Sequence, residues 1–534
     1  MNMPSFDRTS FDRTSLDRAG SDRVSSDRVS PDRDKPVGGA PSLDEIFRRS
    51  VARKPAELAL ADQLDKVRVT GSEPRRLTFA EADDAVSALA AHFISAGLPE
   101  GSIVALQLPN TVEAVLTTLA LWRAGLVAAW LPLLWRHAEL TDALNRIGAR
   151  ALVTTARIDG VSHADLMMQA AAEVFSIRHV CGFGDQLPEG MASLDDVLAR
   201  PSDDPLRFPP TDIKRAALIT FDVTAEGTRV IPRSEAQTIA GGLAVVLDAD
   251  IRQGARILST LTPSSFAGLC TGLVAWLISG GTLALHHPFD ADAMWRQIAD
   301  EGCDVLVAPA PLLLRIGERD FRAVQTSLRS VIGLWRTPEQ AAGSASWFGP
   351  AALTDLYAFG EIGLLALRRG ADGDPAPIHQ VPRSQAGGAP TAMASEAVLT
   401  RAGTLGLKGP MVPLAAYAPP RRSEETLSTL LAETADYVDT GYAARLDRKT
   451  QAICITSPPS GIVAVGGYRF LARDLNEWAQ RLAQGAMLTA LPDRMSGHRL
   501  AGRASENSRA RAALAELGLN PLMVEAFRDR TAAG

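Results

Sequence analysis

The chain has 534 residues, 46% of them hydrophobic and 22% charged, and its 55 basic and 61 acidic residues give a formal net charge of -6. This composition is that of a folded globular protein and excludes a wholly disordered, collagen-like or disulfide-stapled chain. The mild acidic balance gives no general pull toward nucleic acid or anionic membrane, so neither is expected as a partner.

Residues 6–35 run as pentapeptides: FDRTS, FDRTS, LDRAG, SDRVS, SDRVS, PDRDK. Each unit carries an Asp-Arg pair and little apolar surface. Such a segment cannot offset its ordering entropy, and a disordered tail is expected over residues 1–41. From Ser42 the chain turns globular. SLDEIFRRSVARKP reads as an amphipathic helix with a serine cap. LTFAEADDAVSALAAHFISAGLPEG reads as a short strand, an alanine-rich helix and a Gly-Leu-Pro stop. SIVALQLPN (102–110) is an apolar strand, and residues 111–131 a helix feeding another strand. Residues 136–155 repeat the order helix, glycine, strand. The same alternation returns at 215–220, 255–310 and 329–362, which predicts an α/β fold whose parallel sheets are covered by helices. Pro/Arg/Gly-rich stretches at 370–395 and 417–424 read as loops. The spacing predicts C-terminal helices at 471–484 and 506–517.

Phe266 to Leu285 contains no charged residue and is long enough to span a bilayer. Gly280-Gly281 breaks it after a helix-length piece, so a buried helix followed by a strand is expected, with no membrane span. The N-terminus has no apolar leader segment. Cys181, Cys270, Cys303 and Cys454 are far apart and lack metal-binding spacing, which predicts reduced core residues and a cytoplasmic protein. Only six of the basic residues are lysine, and none lies beyond Lys449.

The stretch LTFAEADDAVSALAAHFISAGLPEGSIVALQLPN, the helix ending Trp122-Arg123-Ala124-Gly125, and GTLGLKGPM with its Gly409-Pro410 resemble the adenylate-forming superfamily. That superfamily holds acyl- and aryl-CoA synthetases, luciferases and peptide-synthetase adenylation domains. The resemblance covers about residues 42–500. It implies a large N-terminal domain over 42–457 and a small α+β C-terminal domain over 458–534, shortened here. It implies ATP with magnesium and CoA as cofactors, and a carboxylic acid or acyl group as ligand. Phe266, Ala310 and Leu334 fall where the family's acyl pocket lies, and their apolar character suits either a pocket or a core.

Residue by residue, the family's motifs are altered. The phosphate loop T-S-G-T-T-G-x-P-K-G falls on Thr220, Phe221, Asp222, Val223, Thr224, Ala225, Glu226, Gly227, Thr228 and Arg229. Small residues let such a backbone cradle phosphates. Here Phe221 and Val223 are bulky, Asp222 and Glu226 repel a triphosphate, and a plain connecting loop is expected. The Y-G-x-T-E motif falls on Tyr357 to Glu361, keeping the tyrosine and the glutamate that binds magnesium in the family. Tyr442 stands at the position of the ribose-binding aspartate, with Asp439 three residues early. Thr456-Ser457 replace the Gly-Arg pair, and Pro458-Pro459 stand at the hinge. VGGYRF (465–470) resembles the entry to the small domain. His498 stands where the family places its catalytic lysine.

Several charged contacts at a reacting phosphate are therefore replaced together, each worth about a few kcal/mol. The first expectation is a folded, catalytically silent relative that binds an acyl or aryl ligand or a pathway protein. The second is an active divergent ligase or acyl-transfer enzyme using His498, Glu361 or Arg229 in altered roles. The third is a decaying gene product.

Overall fold

A computed structural model describes residues 40–200, 208–209, 212–317, 327–379, 395–413, 436–482 and 485–528. The pentapeptide array and the 417–424 stretch lie outside the described residues. From Pro41 onward the chain forms one compact unit.

Local capping chemistry sets the first helices. Ser42 accepts from the Glu45 amide and Glu45 returns the bond, opening the helix Leu43–Arg53. Thr78 and Glu81 do the same for Phe79–Ser95. These reciprocal bonds satisfy amides that a helix start leaves unpaired. Each apolar strand then enters one of two sheets. The seven-stranded sheet centres on the parallel strands Val127–Trp130, Ile103–Gln107 and Ala151–Thr155. The eight-stranded sheet is parallel through Leu58–Asp62, Thr282–Leu285, Arg256–Ser259, Val305–Pro309, Ser330–Trp335 and Ala352–Phe359. Antiparallel strands Arg76–Thr78 and Gly363–Arg368 close its two edges. One continuous apolar cluster joins the two sheets, and separate clusters cover their outer faces, around Ala105 and Leu152 on the seven-stranded sheet and Leu306 and Val331 on the eight-stranded one, so the central strands are apolar on both faces.

The uncharged run from Phe266 folds as expected. A helical segment with a π turn over Cys270–Val274 ends at Gly280, whose φ of 63° closes it, and the strand Thr282–Leu285 follows. Gly281 is required sterically, since a Cβ there would lie 1.7 Å from the Ala255 carbonyl oxygen. No described helix is long and apolar enough to cross a membrane.

Two further sheets follow. An antiparallel five-stranded sheet is built from Ile378–His379, Ala452–Ser457, Val438–Leu446, Thr404–Lys408 and Glu396–Leu399. The smaller C-terminal domain carries a four-stranded sheet ordered Tyr468–Leu471, Ile462–Val465, Gly497–Arg503 and Met487–Asp493. The helices Ala472–Leu482 and Asn507–Glu516 pack on it around Leu475, Leu488, Leu514 and Phe527.

Residues 220–229 depart from expectation. They are no plain connecting loop but the heart of a β-hairpin, Ala216–Thr224 paired with Gly227–Ser234, at the edge of the seven-stranded sheet. Asp222 sits opposite Arg229, and Thr224 opposite Gly227. Thr224 Oγ1 donates to Glu226 at 2.8 Å, which ties the tight turn.

Behind the hairpin, Glu235 opens the helix Glu235–Asp248 while buried, and its Oε2 accepts from the Leu43 amide at 2.7 Å. Burial, followed by the nearby charges of Asp44, Glu45 and Asp212, pushes its carboxyl up to about 7. Between its ordinary value of 4.5 and that point the folded chain holds a proton that the unfolded chain releases. Stability from this group is therefore complete below pH 4.5 and lost as pH rises through 7. Glu235→Gln keeps the acceptor without the charge. It is expected to match the parent at pH 5 and to exceed it by about 1–3 kcal/mol at pH 8, read from urea midpoints.

Candidate nucleotide-binding site

The hairpin, the turn after Ala352–Phe359 and the strand Tyr468–Leu471 converge on one ionic cluster. Asp222 is 3% exposed. Its Oδ1 accepts from Arg469 Nη1 at 2.9 Å and its Oδ2 from the Glu361 amide at 3.0 Å. Arg469 also donates through Nη2 to the Tyr442 hydroxyl at 2.7 Å. Tyr442 is buried and meets Phe359 edge-on, with ring centroids 5.5 Å apart. A phenol that accepts from an arginine thus stands at the position where the resemblance implies a ribose-binding carboxylate.

Glu361 is equally engaged. Its Oε2 accepts from the Phe266 amide at 2.7 Å, and its carbonyl accepts from Arg233 Nη2. Burial, with the Asp222 charge adding to it, pushes its carboxyl up to about 7. Arg233 is fully buried, donates to Thr220 Oγ1 at 3.3 Å and lies 3.7 Å above the Phe266 ring. Its Nε has no partner. Burial lowers its guanidinium to about 10, with Glu361 opposing.

The structure brings Thr220, Tyr442 and Glu361 into one neighbourhood, and separates the other residues read from the sequence. Tyr357 is buried in the eight-stranded sheet between Trp335 and Leu365. Thr224 closes the hairpin turn, and Arg229 is exposed on the returning strand. His498 Nδ1 donates to the Ala464 carbonyl at 3.1 Å, within the four-stranded sheet. Phe266, Ala310 and Leu334 are each at most 1% exposed and belong to the apolar cluster. Arg233 and Arg336 escaped the sequence reading altogether, and Arg469 was read without a role at this site. Only Arg469 carried a signal, as part of VGGYRF.

The cavity at this cluster measures about 60 Å³ and is lined by Asp222, Arg336, Glu361, Tyr468 and Arg469 with Trp135 and Phe221. Pockets for drug-sized ligands are about 300–1,000 Å³. The Val223 amide donates to Asp222 Oδ1 at 2.9 Å, and Asp222 Oδ2 lies so close to Gly360 that a Cβ there would come within 2.1 Å. Among the described residues no group of three His, Cys, Asp or Glu side chains could hold a metal ion. Asp222 and Glu361 place two carboxyls, and Arg469 a paired guanidinium, where the resemblance implies ATP with magnesium.

Comparison with known proteins agrees with the fold. The model of the AMP-binding enzyme family matches residues 47–399, more than half of the chain. The salicyl-AMP ligase / salicyl-S-ArCP synthetase of Mycobacterium tuberculosis is 25% identical over 86% of this chain and 80% of its own length. A 3-[(3aS,4S,7aS)-7a-methyl-1,5-dioxo-octahydro-1H-inden-4-yl]propanoyl:CoA ligase of the same organism is 30% identical over 45% of this chain and 47% of its own. With several such curated relatives the match spans only about half of their length or less. Among solved structures, the amide bond synthetase McbA of Marinactinospora thermotolerans superposes with a TM-score of 0.66 at 20% identity, over 91% of this chain and 94% of that one. Family model and architecture agree: the chain belongs to the AMP-binding enzyme family.

Proposed function

We propose that this member of the family is catalytically silent and acts by binding, with a carboxylic acid or acyl ligand, or a protein of the same pathway, as its partner. The observation that carries this reading is the Asp222–Arg469 pair. It places an arginine of the C-terminal sheet and an aspartate of the hairpin against each other where triphosphate and ribose contacts are expected. A triphosphate meets the Asp222 and Glu361 carboxyls in place of free backbone amides. CoA then has no acyl-adenylate to attack.

In this reading the chain has a tail to residue 41, a large domain over 42–457 and a shortened small domain from 458. The separate four-stranded sheet and its own apolar cluster support that division. The buried free thiols of Cys181, Cys270 and Cys303 support a reducing, cytoplasmic setting.

Purified protein is expected to show no ATP-dependent thermal shift and no carboxylate-dependent pyrophosphate release. Robust ATP binding at sub-millimolar concentration sinks this reading and favours an active divergent ligase working through His498, Glu361 or Arg229.

A further inference from the structure

The parallel strands of the eight-stranded sheet lead toward Arg336 and Glu361 at one end. At the opposite end, where Val305–Pro309 and Ser330–Trp335 begin and Gly363–Arg368 finishes, lies a second cavity of about 360 Å³. Ser330–Trp335 spans about 17 Å, and the two cavities share no lining residue. Val305, Leu328 and Ser330 give the second one a buried floor, and Ser330 Oγ donates to the Ala249 carbonyl at 2.9 Å.

Its rim is charged. Arg252, Arg329 and Arg368 stand around it with Asp250 and Asp304. Among the described residues the Arg252 and Arg329 side chains have no hydrogen bond or ion pair. Arg368 meets Asp250 only at 3.9 Å, beyond hydrogen-bond range. Asp304 is held in place by the Arg256 amide, which donates to its Oδ1 at 2.7 Å.

Three guanidiniums offer more donors than one carboxylate accepts. A phosphate monoester carries about -1.5 to -2 charges on three terminal oxygens and takes paired N–H donors from several arginines. The two aspartates repel a bare phosphate but accept from hydroxyl groups. A volume of about 360 Å³ falls within the small-molecule range of about 300–1,000 Å³. We infer that this cavity binds a phosphorylated small polyol, its phosphate held by Arg252, Arg329 and Arg368 and its hydroxyls donating to Asp250 and Asp304. Such a site operates whether or not the chain adenylates a carboxylic acid.

The probes are glucose 6-phosphate and glycerol 3-phosphate, titrated calorimetrically into the full chain at constant ionic strength beside inorganic phosphate and glucose. At least one ester is expected to bind once per chain, inorganic phosphate about tenfold more weakly, and glucose not at all. Arg252→Gln and Arg329→Gln should each weaken the ester about tenfold. Both side chains are exposed, so urea midpoints should stay at the parent value. Asp250→Asn should weaken the ester and strengthen inorganic phosphate, a pair of opposite shifts that a general loss of structure does not produce. No saturable binding of either ester overturns the site, and so does binding undiminished in both arginine variants. Inorganic phosphate binding as tightly as the esters overturns the part assigned to the aspartates and, with it, the polyol.

Discussion

Arg469→Met will destabilise the chain by about 3–5 kcal/mol, the range for removing one partner of a buried ion pair. The reason is what remains. Asp222 is 3% exposed, and without Arg469 its carboxylate keeps the Glu361 and Val223 amides but no cation in contact. Tyr442 loses the donor to its hydroxyl in the same step. The C-terminal sheet would then stay on the rest of the chain through fewer contacts, chiefly the Tyr468 hydroxyl accepting from the Leu134 amide at 3.1 Å. Asp222→Leu combined with Arg469→Met should recover much of the loss, since apolar replacement of a whole buried pair is commonly neutral. The double-mutant cycle, read by urea unfolding followed through tryptophan fluorescence, gives the coupling directly. Additive losses would show that the two side chains do not hold each other.

Most of the element order was legible because it is written locally. The serine cap read at Ser42 is where the first helix opens, and Thr78 with Glu81 repeats the same three-residue capping pair. Gly280-Gly281 told a buried helix–strand unit from a membrane span for a steric reason that the structure makes explicit. The hairpin at 216–234 was missed because family alignment assigned it a loop. Its own pattern is a run of strand-forming residues on either side of a tight turn before Gly227. The site was legible only as losses. Replacement of the small residues, the ribose acid and the lysine could be read position by position. What fills the space could not be, because Asp222 and Arg469 are 247 residues apart and nothing local links them. Arg233 illustrates the same limit: an arginine in a strand reads as solvent-facing, yet this one is fully buried over Phe266.

The second large effect falls on a lysine. Of the six lysines, Lys66 is 2% exposed, and its Nζ donates to Asp62 at 2.7 Å and to Glu113 at 2.6 Å. Asp62 also accepts from the Val112 and Arg75 amides, and Glu113 from Arg75 Nε, while Arg75 Nη2 donates to Asp195 at 2.6 Å. One ammonium thus holds together the first strand of the eight-stranded sheet and the helix Val112–Arg123 beneath the seven-stranded sheet. Lys66→Met should cost about 3–5 kcal/mol at pH 8, because two buried carboxylates then face each other with Arg75 alone between them. The loss should shrink on acidification. Burial, with the Glu113 charge second, already holds the Asp62 carboxyl up at about 6, and removing the ammonium raises it further. The folded variant then takes up a proton that its unfolded form, titrating near the ordinary 3.8, does not. Its stability deficit therefore narrows as pH falls from 8 toward 5 and widens again as pH rises. Asp62→Asn added to Lys66→Met should flatten that dependence. A deficit that stays constant between pH 5 and 8 would show that Lys66 acts through packing of its stem and not through its charge.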